Sequence, residues 1–409
     1  MNKRIRQFGF SLLLLATLGL GSCSSKYSYE TVPNDPLQAR IYTLDNGLKV
    51  YMTVNKDEPR IQTYIAVRVG GKNDPAETTG LAHYFEHLMF KGTNHFGTQN
   101  YEVEKPLLDQ IEQTFEVYRK TTDEAERKVL YHVIDSLSFE ASKYAIPNEY
   151  DKLMAAIGAN GTNAYTSYDV TCYTEDIPSN QVENWAKIQA DRFKNCVIRG
   201  FHTELETVYE EKNMSLTQDG RKVYEQTLAA LFPHHPYGTQ TVLGTQEDLK
   251  NPSITNIKNY FKTWYVPNNM AICLSGDFDP DQMIATIDKY FGDMQPNPDL
   301  PKLDLPKETE ITAPIVRDVY GLEAENITLA WRFPGAASKE LETLQIVSQI
   351  LYNGQAGLID LDLMQQQKAL SAYCYPMSMS DYSAFLMAGR PKAGQTLDEV
   401  KDLLLGELK

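Results

Sequence analysis

His83 and His87 stand four residues apart, with Glu86 between them, in the apolar run Leu81-Ala82-His83-Tyr84-Phe85-Glu86-His87-Leu88-Met89-Phe90-Lys91. On a helix this spacing stacks both imidazoles on one face, where they can grip a single ion. Glu86 follows His83 by three residues and lies close to that face, placed to hold a water without being a ligand. Two neutral imidazoles, a third ligand and an open water position make up a catalytic zinc site. The order H-x-x-E-H is itself among the known catalytic motifs. A fold that uses it must bring a third ligand to the histidine face from elsewhere in the chain.

The segment Thr203-Glu204-Leu205-Glu206-Thr207-Val208-Tyr209-Glu210-Glu211 offers four acids for that position: Glu204, Glu206, Glu210 and Glu211. Glu204 and Glu211 are seven residues apart, two helical turns, so their carboxylates share a face. Of the remaining histidines, His95, His132, His202, His234 and His235 lack an i, i+4 partner and are not expected to bind metal.

Strand and helix patterns alternate along the chain. Asp45-Asn46-Gly47 between Arg40–Thr43 and Leu48–Tyr51 signals a hairpin. Ile61, Thr63, Ile65, Val67 and Val69 alternate with polar or small residues, as in a half-buried strand. Residues 102–155 are charged and helical by pattern, with Leu107, Leu108, Ile111 and Phe115, then Leu130, Val133, Ile134 and Leu137, at helical spacing. Thr121 and Glu124 are spaced as a capping box for the second of these helices. A second unit is expected from about residue 265, with a strand at Ala271–Ser275, a helix opened by Asp279-Pro280 and a Pro-rich joint from Pro296 to Pro306. Within it, Leu329-Ala330-Trp331-Arg332-Phe333-Pro334-Gly335 echoes Ile65-Ala66-Val67-Arg68-Val69-Gly70-Gly71. At equal offset the counterparts of His83, Glu86 and His87 are Val347, Ile350 and Leu351, which bind no metal. The last helix, opened by Thr396 and Glu399, runs to Lys409 with no C-cap or returning strand. The pattern is α+β, with a mixed or antiparallel sheet flanked by helices.

At the N-terminus Lys3, Arg4 and Arg6 precede an apolar run from Phe8 to Leu20 and then Leu20-Gly21-Ser22-Cys23. This predicts a signal peptide over residues 1–22, too short to span a membrane, and a lipid-modified Cys23 followed by a tether to residue 37. The expected location is the bacterial cell envelope, anchored through the lipid. The formal net charge is −15, which disfavours nucleic acid and favours neutral or basic peptides as ligands. Cys172, Cys196, Cys273 and Cys374 lack metal or redox spacing and read as free thiols.

Val69-Gly70-Gly71-Lys72-Asn73-Asp74-Pro75, Thr79-Gly80-Leu81-Ala82, the H-x-x-E-H run and Phe90-Lys91-Gly92-Thr93 together resemble the pitrilysin/insulinase (M16) family of zinc peptidases. Asn163-Ala164-Tyr165-Thr166-Ser167, Glu204 to Glu211, and Tyr237-Gly238 with Leu243-Gly244-Thr245 continue the likeness. The resemblance implies a duplicated αβ roll (LuxS/metallohydrolase-like), here with an incomplete second copy: a zinc domain over residues 38–260, interrupted by a helical insertion at about 102–155, and a metal-free domain over 265–409. It implies one zinc ion per chain, held by His83, His87 and Glu211, with Glu204 orienting a ligand histidine and Glu86 as general base. Asn163, Ala164, Thr166 and Phe90 would bind an extended peptide added as a strand. Hydrolysis of peptide bonds in unfolded peptides is the implied activity. A non-catalytic binding or assembly subunit of the same family is the alternative. A second homologous half is the implied partner. Ten residues beyond Glu211, where the mitochondrial processing branch carries an acid for substrate arginine, this chain has Arg221.

Overall fold

The structure, a computed structural model, describes residues 26–409; the signal run and Cys23 lie outside the described residues. Seven strands form the first sheet: β1 (Tyr29–Glu30), β2 (Arg40–Thr43), β3 (Lys49–Val54), β4 (Arg60–Val67), β5 (Asn160–Thr166), β6 (Thr171–Pro178) and β7 (Met270–Gly276). Their spatial order is β1-β2-β3-β7-β4-β6-β5, antiparallel throughout except for the parallel pair β3 and β7. Helices cover one face. Ile61, Thr63, Ile65 and Val67 of β4 point into it and are fully buried, whereas Tyr64 on the opposite face is exposed. Each large apolar side chain buried there contributes about 1.5–3 kcal/mol.

The first helix, α1 (Leu81–Leu88), follows β4 and buries Leu81, Ala82, Tyr84, Phe85 and Leu88. Then come α2 (Tyr101–Lys120), α3 (Glu124–Ser142), α4 (Glu149–Ala156), α5 (Val182–Asn195), α6 (Phe201–Thr217) and α7 (Asp219–Leu231). α2 and α3 pack as a helical hairpin through Ile111, Phe115 and Ile134, while Val133 is left exposed. The expected capping box is not used. Thr121 ends α2, and Asp123 caps α3 by accepting from the Glu126 amide at 2.8 Å. Asp123 is also a favoured N-cap residue, so two candidates two positions apart compete and local sequence does not decide between them.

Three antiparallel strands form the second sheet: β8 (Ile327–Pro334), β9 (Ser371–Ser378) and β10 (Tyr382–Arg390), in the order β8-β10-β9. As in β4 and α1, β8 leads into a helix, Lys339–Leu351, on which Val347, Ile350 and Leu351 fall. The closing helix, Leu397–Gly406, has the Thr396–Glu399 capping box that its spacing predicts.

Residues 265–291 pack with the first sheet. Residues 265–291 were expected in the second unit, yet β7 lies in the middle of the first sheet, and Met283, Ile284, Ile287 and Phe291 join the first core. Alternation identifies a strand but not its sheet, and the parallel partner of β7 lies more than two hundred residues upstream. Residues 295–326 have no regular structure and connect the units.

Tyr168, Leu228, Leu231, Phe232 and Tyr237 pack against Met379, Ala384 and Leu386 of the second unit. Beside them Lys72 Nζ bridges Asp169 and Asp381 at 2.7 Å each, and the Tyr237 hydroxyl donates to Asp169 at 2.7 Å. Cys172, Cys196, Cys273 and Cys374 are free thiols.

Candidate metal centre

Two crossings fix the helix that carries the histidines. Gly80, at φ +86°, opens α1, and a Cβ there would meet the Leu243 carbonyl oxygen at 2.7 Å; Gly244, at φ +73°, approaches Thr79 as closely in return. Only glycine combines that backbone with that clearance. The Asp74 carboxylate accepts from the Gly80 and Ala82 amides at 2.8 and 2.9 Å, satisfying donors at the start of α1. At the far side the Tyr84 hydroxyl donates to the Phe201 carbonyl, tying α1 to the first residue of α6.

α6 carries Glu204 and Glu211, and the crossing sets both against α1. Glu211 Oε2 lies 3.6 Å from His83 Nε2 and 3.5 Å from His87 Nε2. Among the described residues, these three are the one group of His, Cys, Asp and Glu donors gathered closely enough to hold an ion, within 4.8 Å of one another. Donors about 2.0–2.2 Å from a tetrahedral ion stand roughly 3.4 Å apart. The measured separations fit that edge. His87 Nδ1 lies 2.8 Å from Glu204 Oε1, and Lys91 bonds the other oxygen of Glu204. A carboxylate on Nδ1 keeps the proton there and leaves the Nε2 lone pair facing Glu211. Glu206 and Glu210 are not in the group; Glu206 lies 3.9 Å from His202, and Glu210 accepts from Asn213.

Burial, with the charges of His87 and Arg221, drives the His83 pKa down to about 3, so this imidazole is neutral. For His87, burial lowers the pKa, but the Glu204 hydrogen bond and the charges of Glu211, Glu204 and Glu86 outweigh it and the net shift is upward. Glu86 is raised above the usual carboxylate range, chiefly by burial. Its Oε2 accepts the Thr166 hydroxyl.

An open cavity of about 680 Å³ is lined by these residues together with Phe90, Asn163, Ala164 and Thr166. β5, which carries the last three, pairs only with β6 and is an edge of the sheet. Phe90 also packs edge-on against Tyr150, and the Arg192 guanidinium lies 4.6 Å from its ring centre. Sequence reasoning placed Thr166 with substrate and did not see its bond to Glu86. It also missed Lys91 and the buried Arg192; the lysine, four residues after His87 in the apolar run, was the available signal.

Residues 49–107 and 122–245 match the family described as Insulinase (Peptidase family M16), and residues 253–409 match the Peptidase M16 inactive domain. The chain belongs to peptidase family M16. Among relatives of this M16 chain, the zinc protease PqqE of Helicobacter pylori is 23% identical over 99% of the chain and 80% of its own length. A solved protease from Helicobacter pylori superposes with a TM-score of 0.66 at 20% identity, covering 93% of this chain and 79% of that one. Pitrilysin superposes at 0.62 and 18% identity, and the M16 chain, matched over 90% of its own length, spans only 36% of it. The shared fold is thus the α+β roll of pitrilysin-like proteases.

Proposed function

We propose that this M16 chain is a zinc-dependent endopeptidase acting on extended, unfolded peptides, anchored at the cell envelope through Cys23. The gathering of His83, His87 and Glu211 within 4.8 Å, with Glu86 on the same helix, carries the reading. Zinc held by these three residues supplies Lewis acidity, polarising a carbonyl and lowering the pKa of water from about 15.7 toward 7. The protein supplies the rest. Glu86 Oε takes a proton from the attacking water and returns it to the leaving amine, its pKa raised toward the working range. Thr166 holds Glu86 from the β5 side. The free edge of β5 offers main-chain donors and acceptors to a peptide added as a further strand, a mode largely blind to side chains. Unfolded segments of many sequences would fit it. A second homologous half would close the cavity; light scattering during turnover tests this, since a monomer working at full rate needs none.

The test is cleavage of a quenched, unstructured peptide by the zinc-loaded chain, abolished by a chelator and restored by zinc. Zinc bound with no cleavage, in the presence of any homologous partner, favours the non-catalytic binding subunit instead.

Zinc is also expected to stabilise the fold by about 4 kcal/mol at a thousand times its Kd, read as a melting temperature that falls on chelation. Metal and proton compete for His87 Nε2, whose pKa lies above the ordinary histidine value. The zinc-dependent part is therefore complete above that raised pKa and fades as pH drops through it. Glu204→Gln removes the carboxylate behind His87 and is expected to weaken zinc about 10–100-fold. Competition against a chromophoric chelator measures both effects. Unchanged affinity in Glu204→Gln would leave Glu204 no part in the site.

A further inference from the structure

We infer that Arg221 gives this site a preference for peptides bearing a carboxylate side chain close to the bond that is cut; the inference rests on the peptidase reading and adds a substrate class to it. Arg221 lies on α7, which is separated from α6 by Gln218 alone, and its side chain lines the same cavity as His83, Glu86 and Glu211. Its charge reaches His83. The guanidinium makes one hydrogen bond among the described residues, from Nε to Glu225 Oε1 at 3.0 Å. An arginine fork has five N–H donors, so four are left to address the cavity.

Charge is unbalanced at this corner. Glu225 Oε1 also faces Lys212 Nζ at 3.7 Å, and among the described residues that buried lysine otherwise meets only the Thr241 hydroxyl at 3.4 Å. Two cations share one carboxylate. None of the acids of the cavity bonds the guanidinium: Glu204 is held by His87 and Lys91, Glu86 accepts from Thr166, and Glu211 faces the two histidines. A planar fork with unbonded donors, sharing its one acid with a buried lysine, suits a carboxylate bound through both oxygens. Tyr224, three residues on and lining the same wall, adds an aromatic surface beside it. The whole chain, at −15, repels acidic peptides at long range, so the preference belongs in slower dissociation rather than faster association.

Binding is measured on the full-length, zinc-loaded chain carrying Glu86→Gln, with fluorescent peptides that differ only in a Glu, Gln or Lys walked along the sequence. At one position the Glu peptide is expected to bind about tenfold or more tightly than its Gln twin. Arg221→Gln should erase that difference without changing the Gln peptide, and Arg221→Glu should invert the order of Glu and Lys. In the chain with Glu86 restored, Arg221→Gln should raise KM for the acidic peptide more than for its Gln twin. No charge preference at any position overturns the proposal, as does an equal loss for all three peptides. Cleavage without preference leaves the peptidase reading standing and removes this one; preference without cleavage does the reverse; neither binding nor cleavage removes both.

Discussion

Glu86→Gln is expected to lower peptide cleavage by about 10²–10⁴-fold, the range of positioned general acid–base groups, while one zinc stays bound. Glutamine keeps the shape of the side chain and an oxygen for the Thr166 hydroxyl, so packing at the buried position is little disturbed. It has no basic oxygen and cannot take a proton from water. His83, His87 and Glu211 are untouched, so metal content by elemental analysis should match the parent chain. Activity retained within a few fold would assign proton transfer to another group. Zinc lost along with activity would make Glu86 a structural support of the centre.

Removing the charge of Arg192 is expected to destabilise the first unit by about 3–5 kcal/mol. Its side chain and that of Glu175 are both wholly buried, with Nη1 and Oε1 3.8 Å apart. Arg192 also donates from Nε to the Met89 carbonyl at 3.0 Å and from Nη1 to the Tyr150 hydroxyl at 2.7 Å. The rings of Phe90, Tyr150 and Tyr173 surround it at 4.3–4.6 Å. Glu175 in turn accepts from Thr63, Tyr150, Trp185 and Gln189. Arg192→Met fills most of the space yet strands the Glu175 carboxylate in the core. Adding Glu175→Gln should recover part of the loss, because the amide carries no charge to desolvate. Urea unfolding of both variants measures this; equal losses would show that packing, and not the stranded charge, sets the cost. Met89 follows the last turn of α1, so the first variant should also loosen zinc.

The metal helix was legible because two constraints coincide there: apolar neighbours demand burial, and buried imidazoles demand a partner. Of the four acids from Glu204 to Glu211, spacing puts Glu204 and Glu211 on one face but does not say which of them meets the metal. Their separation into one facing both histidines, one behind His87 and two outside the group follows from the α1–α6 crossing, which Tyr84 and Phe201 set in three dimensions. The Arg192–Glu175 pair was invisible for the opposite reason. Arginine and glutamate are seldom buried, and nothing local marks these two as exceptions. β7 read correctly as a strand, but the sheet it joins was not legible, since its neighbours are chosen by contacts far away in the chain. The capping of α3 fell to Asp123 over Thr121 on a difference too small for sequence to resolve.

The placement of β7 has a consequence for how the protein is made. Residues 49–54 and 60–67 emerge early in synthesis, yet the gap between them is closed only by 270–276. Pairings across so long an interval are slow to form and leave strand edges open meanwhile. A nascent chain ending short of Met270 should therefore stay sensitive to added protease, whereas one extended past Phe291 should resist it. The metal ligands and Glu86, all encoded upstream of that strand, are therefore expected to come together only in a chain that contains β7.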